Sequence, residues 1–188
     1  MLSHYHLLGA AACIAACATA APASAAVVVL GNTDARMCYE AADSPMLPAA
    51  RDVRRCDDAL LREPLSSYEV VATHVNRGIL RMLRSNYAGA DTDFAAATAM
   101  DPQRAEPWLN LGILRFKQGK SAEAHALFSK AIELGSDVPE IAYYGRGLAN
   151  EDLGNVKAAY NDLRKASELR PNWREPAREL ARYRVTPR

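Results

Sequence analysis

The chain has 188 residues, 23 Lys+Arg against 22 Asp+Glu and a formal net charge of +1. A hydrophobic share of 49% with 24% charged residues excludes wholesale disorder and a collagen-like chain. The near-balance of charge also speaks against a dedicated nucleic-acid binder, which needs a basic face. Much of the apolar content is alanine, the best helix former and a side chain that buries little area, so closely packed helices are expected.

Residues 1–25 contain no Lys, Arg, Asp or Glu. Residues 7–21 are an uncharged run followed by Pro22 and then Ala23-Ser24-Ala25, the small-x-small pattern of a signal-peptidase site. The expectation is a signal peptide cleaved after Ala25 and a periplasmic or secreted mature chain. Pro22, Ser24 and an alanine-dominated interior make the same stretch a poor membrane span. One alternative stays open: Ile14-Ala15-Ala16-Cys17 resembles the lipobox of bacterial lipoproteins, in which lipidation at Cys17 tethers the chain to a membrane. Residues 26–33 form a short extended segment. Its Val27-Val28-Val29-Leu30 run is apolar enough to lie on a surface or cover a seam, and whether it does so in cis is open at this stage.

Cys38 and Cys56 remain in the mature chain, an even number in an exported, oxidising setting. Their midpoint is residue 47, inside Ser44-Pro45-Met46-Leu47-Pro48, where two prolines interrupt any helix. In an antiparallel hairpin over 34–66 turning there, the two cysteines sit at the same height, which suits a disulfide. Two buried thiols or a redox pair are the rival readings, the latter without a Cys-x-x-Cys.

From residue 71 the chain copies itself. Asn76 and Asn110, Gly78 and Gly112, Ala90 and Ala124, Phe94 and Phe128, and Ala97 and Ala131 are each 34 apart. The interval then becomes 35, with Gly112 and Gly147, Gly119 and Gly154, Ala124 and Ala159, Phe128 and Leu163, and Ala131 and Ala166. One extra residue in the loop around Gly135–Pro139 explains the shift. In the middle copy Gly119 ends the first helix, Ser121 offers an N-cap, and Ala124, Leu127, Phe128 and Ala131 make an apolar stripe at helical spacing.

The pattern Trp108-x-x-Leu111-Gly112 with Ala124-x-x-x-Phe128, and Pro102 and Pro171 at repeat ends, resembles the tetratricopeptide repeat (TPR). The resemblance covers 71–104, 105–139 and 140–173 and implies an all-α solenoid of helical hairpins, as in exported bacterial TPR proteins. His74 and Tyr143 depart from Trp108, and Arg77 and Arg146 from Leu111. Residues 174–185 read as a capping helix with Ala177, Leu180 and Ala181 buried, since a solenoid end must be covered.

The resemblance also implies a concave surface, lined by the first helices, that binds another protein or a peptide segment. Carried over by register, its residues are Val75, Asn76 and Ile79, then Leu109, Asn110 and Ile113, then Tyr144 and Leu148, with Met82 and Phe116 extending the floor. The two asparagines, one repeat apart, would bond a ligand backbone. The alternative for the apolar members is plain inter-repeat core. Val75 and Ile79 stand where chaperone-tail-binding TPR domains place cations, so that clamp is not expected. No enzyme is expected: there is no Gly-x-Ser-x-Gly, P-loop or His-Glu-x-x-His. No metal site or cofactor is expected either, and His74 and His125 are the only mature-chain histidines. The expected function is a non-enzymatic adaptor of the bacterial cell envelope, with a lipid-anchored envelope-assembly factor or an enzyme regulator as the alternatives. The expected partner is a polypeptide, not nucleic acid, with a membrane only if Cys17 is lipidated.

Overall fold

The N-terminal hairpin is held by a disulfide midway along its helices and by a carboxylate at its open end. α1 (Asp34–Asp43) starts at the Thr33 N-cap, whose side chain accepts from the Arg36 N–H. α2 (Ala50–Arg62) runs back against it, and Cys38 and Cys56 are joined across the pair with Cα atoms 5.1 Å apart. Glu63, just past α2, accepts from the Asp34 N–H at 2.7 Å and the Ala35 N–H at 3.4 Å. A carboxylate there satisfies free N–H groups and complements the helix dipole.

The computed structural model describes residues 4–7, 25–29 and 33–186. The signal-like run and Cys17 therefore lie outside the described residues, apart from 4–7 and Ala25. Three helical hairpins follow α2: α3 (Ser67–Leu83) with α4 (Tyr87–Met100), α5 (Ala105–Lys117) with α6 (Ser121–Glu133), and α7 (Pro139–Asp152) with α8 (Val156–Leu169). α3 opens with a capping box of Ser66 and Glu69. Among the described residues no helix is long and apolar enough to cross a membrane.

Each hairpin packs an aromatic or leucine side chain onto a glycine of the first helix. A Cβ on Gly112 would lie 2.9 Å from the Phe128 ring, and one on Gly147 would lie 3.0 Å from Leu163. Phe128 also meets the next repeat, since a Cβ on Gly145 of α7 would come within 2.5 Å of it. Phe94 and Phe128 are essentially fully buried. Gly119 and Gly154 end their helices at φ 73° and 77°, and Ser85 occupies the equivalent left-handed position at φ 61°.

Two expectations require correction. α9 is shorter than 174–185: it covers Arg174–Leu180, and β2 (Tyr183–Thr186) follows, paired antiparallel with β1 (His4–Leu7). Ala177 and Ala181 are exposed, and the cap is instead sealed by Pro176, Leu180 and Tyr183. Tyr183 is buried 5.8 Å from the Tyr160 ring, and its hydroxyl donates to Glu151 at 2.9 Å. Ser121 is also not a cap. Lys120 holds that position without a side-chain bond, and the Ser121 Oγ donates to Asp152 at 2.7 Å, joining α6 to α7.

Replacing Gly145 with Ala tests the close approach. The gain in helix propensity of about 1 kcal/mol is outweighed by overpacking against the Phe128 ring. A net loss of about 1–3 kcal/mol is expected, read as a lower urea midpoint at unchanged slope.

Candidate functional site

The face made by the first helices is already occupied. Residues 25–29 cross α3 and α5 in extended form, with Ala25, Val27 and Val29 buried, Ala26 half-buried and Val28 48% exposed. This period of two is that of a strand laid on an apolar surface. Asn76 holds the segment by its main chain: the Val27 N–H donates to Oδ1 at 2.8 Å, and Nδ2 donates to the Val27 carbonyl at 2.7 Å. One repeat on, Asn110 Nδ2 donates to the Ala25 carbonyl at 3.1 Å and to the Glu106 carbonyl of its own helix at 3.0 Å. Both asparagines are fully buried, and Asn110 Oδ1 has no partner. Leaving such an atom unmatched costs about 1–3 kcal/mol.

The apolar candidates divide between this segment and the repeat core. Val75 and Ile79 are fully buried in one cluster with Val27 and Val29, which half-buried Ile113 joins. Leu109 clusters with Ala25, Ile141 and Phe128. Tyr144 and Leu148 belong elsewhere, in the cluster of Leu163 and Tyr183, where the Tyr144 ring lies 4.8 Å from Trp173. Met82 is buried and Phe116 half-buried. The position equivalent to Asn76 and Asn110 in the third repeat is Gly145, so the pair of amides is not continued; the Phe128 ring fills that space.

Sequence reasoning missed a second set of polar residues. Asp93, fully buried on α4, accepts from Arg77 Nη2 at 2.6 Å and Arg81 Nη1 at 2.8 Å. Its Oδ1 also lies 3.1 Å from His74 Nδ1; a carboxylate only accepts, so that nitrogen carries a proton. Arg77 reaches on to Asp57 of α2 at 2.7 Å. The third repeat repeats the device, with Arg146 bidentate to Asp162 at 2.9 and 2.7 Å and Asn150 donating to the same carboxylate at 3.0 Å. In the middle repeat both positions are leucine, Leu111 and Leu127. That joint exchange of Arg/Asp for Leu/Leu is the signal in the sequence that could have revealed the pairs. Burial pushes the Asp93 carboxyl up, but hydrogen bonds from His74 and Arg77 and the charges of Arg77 and Arg81 outweigh it, so its pKa falls below the ordinary value. Among the described residues no group of three His, Cys, Asp or Glu is placed to hold a metal.

The tetratricopeptide-repeat family model matches residues 75–139 and 109–172, which together span just over half of the chain. The chain belongs to this family. Its fold is similar to the first TPR domain of human RPAP3 (TM-score 0.56, 24% identity, 59% of this chain and 87% of that one). It is similar too to the second human RPAP3 domain, solved with the HSP70 peptide SGPTIEEVD (TM-score 0.57, 23% identity, 62% and 96%). MamA is a third TPR neighbour (TM-score 0.58, 22% identity, 69% and 72%). No curated protein sequence matches.

Removing one member of the Asp93 network leaves buried charge unpaired, so Asp93→Ala should cost about 3–5 kcal/mol in chemical denaturation. The double change Arg77→Leu with Asp93→Leu, copying the middle repeat, should cost much less. Because the native pKa of Asp93 is depressed, its stabilisation is complete above the unfolded value near about 4 and is lost as pH falls through the lower native value. The double variant should lack that part of the acid-unfolding profile.

Proposed function

We propose that this chain is a non-enzymatic adaptor of the bacterial cell envelope that binds a polypeptide segment on its concave TPR face. The observation that carries the reading is buried Asn76, whose amide accepts from and donates to the Val27 main chain, with a second buried asparagine, Asn110, one repeat on. An amide offering one donor and one acceptor to a strand is indifferent to side-chain identity, which is what capture of a polypeptide through its backbone requires. RPAP3 domains of the same fold were solved with HSP90 and HSP70 tail peptides. Here the side chains beneath the strand are Val75, Ile79 and Leu109 rather than cations, which favours an apolar segment over an acidic tail. The envelope assignment draws on the uncharged 1–25 run with its Ala23-Ser24-Ala25 site, and on a Cys38–Cys56 bridge suited to an oxidising compartment. No catalytic role is assigned to His74, which is committed to Asp93 inside the ion network.

A photo-crosslinker at Ile113, on the half-buried edge of the groove, should capture a polypeptide in envelope fractions of the producing cell. Asn110→Ala should cut that adduct by about fivefold, the equivalent of one hydrogen bond of about 1 kcal/mol, while the melting temperature barely moves. Equal loss of capture and stability would assign Asn110 to the fold alone. The mature N-terminus, read by mass spectrometry, should be Ala26; a lipidated Cys17 would replace the periplasmic assignment with a membrane tether.

A further inference from the structure

The occupant of the groove is the chain itself, and its hold is uneven. Asn76 matches both polar atoms to one residue of the segment, whereas Asn110 donates to Ala25 and keeps a buried acceptor, Oδ1, unmatched. In an extended strand the N–H and C=O of one residue point to the same edge, so the group Oδ1 lacks is a main-chain N–H at the Ala25 position. A cavity of about 500 Å³ runs beside Ala25, Ala26, Val27 and Val28 and extends to Glu106 and Val138, so the segment is not covered along this flank. Processing after Ala25, where it occurs, would remove the Ala25 carbonyl and leave Asn110 bonded only within its own helix.

We infer that segment 25–29 is a displaceable plug and that a partner enters by strand exchange, filling the Asn110 rung first and then taking Asn76 from Val27. This rests on the reading of the inner face as a polypeptide site and adds its ligand pattern and its control. The partner segment is extended and carries small or β-branched apolar residues at alternate positions. A small residue suits the place of Ala25 beside Leu109 and Ile141, and valine-sized residues suit the places of Val27 and Val29 beside Val75 and Ile79. Of the two intervening positions, that of Ala26 is half-buried and suits a small residue, and that of Val28, 48% exposed, tolerates larger side chains. The strand runs from the second repeat to the first, because Ala25 pairs with Asn110 and Val27 with Asn76.

The test uses the full chain and a labelled peptide, Ala-Ala-Val-Val-Val-Leu with a Lys-Lys tail for solubility. Val27→Asp places a charge in an apolar seat and should release the plug, tightening peptide binding by about tenfold or more. That factor corresponds to a plug occupying the groove about nine-tenths of the time. Adding Asn76→Ala to that variant should abolish the gain. Equal binding by wild type and Val27→Asp would overturn the plug while leaving the polypeptide site standing. A folded Val27→Asp chain that binds no peptide would overturn both. If Val27→Asp does not fold, amide exchange of the wild type decides. Saturating peptide should accelerate exchange at the Val27 N–H, and unchanged protection would overturn strand exchange.

Discussion

The architecture depends on one steric constraint, the seating of a large side chain on a glycine of the facing helix. Phe128 sits against Gly112 within its own repeat and against Gly145 of the next, so a single ring sets two helix separations. Phe94 on Gly78 and Leu163 on Gly147 repeat the contact in the outer copies. Interiors at crystal-like density transmit such a spacing rather than absorb it. The groove inherits its width from this packing, because α3 and α5 carry both the glycines and the asparagines. The same constraint ends the row of amides, since a side chain at Gly145 would collide with the ring that holds the repeats together.

Buried polar groups are used here in two distinct ways. The Arg77–Asp93 and Arg146–Asp162 sets are closed side-chain networks that tie first to second helices. Such pairs gain little net stability over an apolar pair of similar volume, but are costly to break from one side. The Leu111–Leu127 alternative in the middle repeat shows that the fold accepts either solution. The asparagines, by contrast, present their amides to a main chain from outside the repeats. That separation keeps charge out from under the strand and gives the inner face its apolar, backbone-directed character.

Much of the fold was legible because its causes are local or periodic. The 34- and 35-residue intervals, the glycines at helix ends and the two prolines between Cys38 and Cys56 located the hairpins, and the shared interval of Asn76 and Asn110 singled out the amides. The assignments of Tyr144 and Leu148 were less secure for a physical reason. Equivalent registers face the groove only where the neighbouring surface leaves them free, and Trp173 and Tyr183 cover these two. The C-terminal cap differed likewise, because Pro176 and Tyr183 buried more effectively than an alanine stripe.

The sequence by itself determined a solenoid of paired helices and a pair of amides one repeat apart, since short-range spacing and small-residue placement carry that information. It pointed to an N-terminal hairpin whose bridge the structure then showed. Only the tertiary structure decided what covers the amides. Val27 meets Asn76 across 49 residues of chain and Ala25 meets Asn110 across 85. Which apolar stretch wins an apolar face is a competition over the whole molecule, governed by area buried and hydrogen bonds matched, and no local pattern records its outcome.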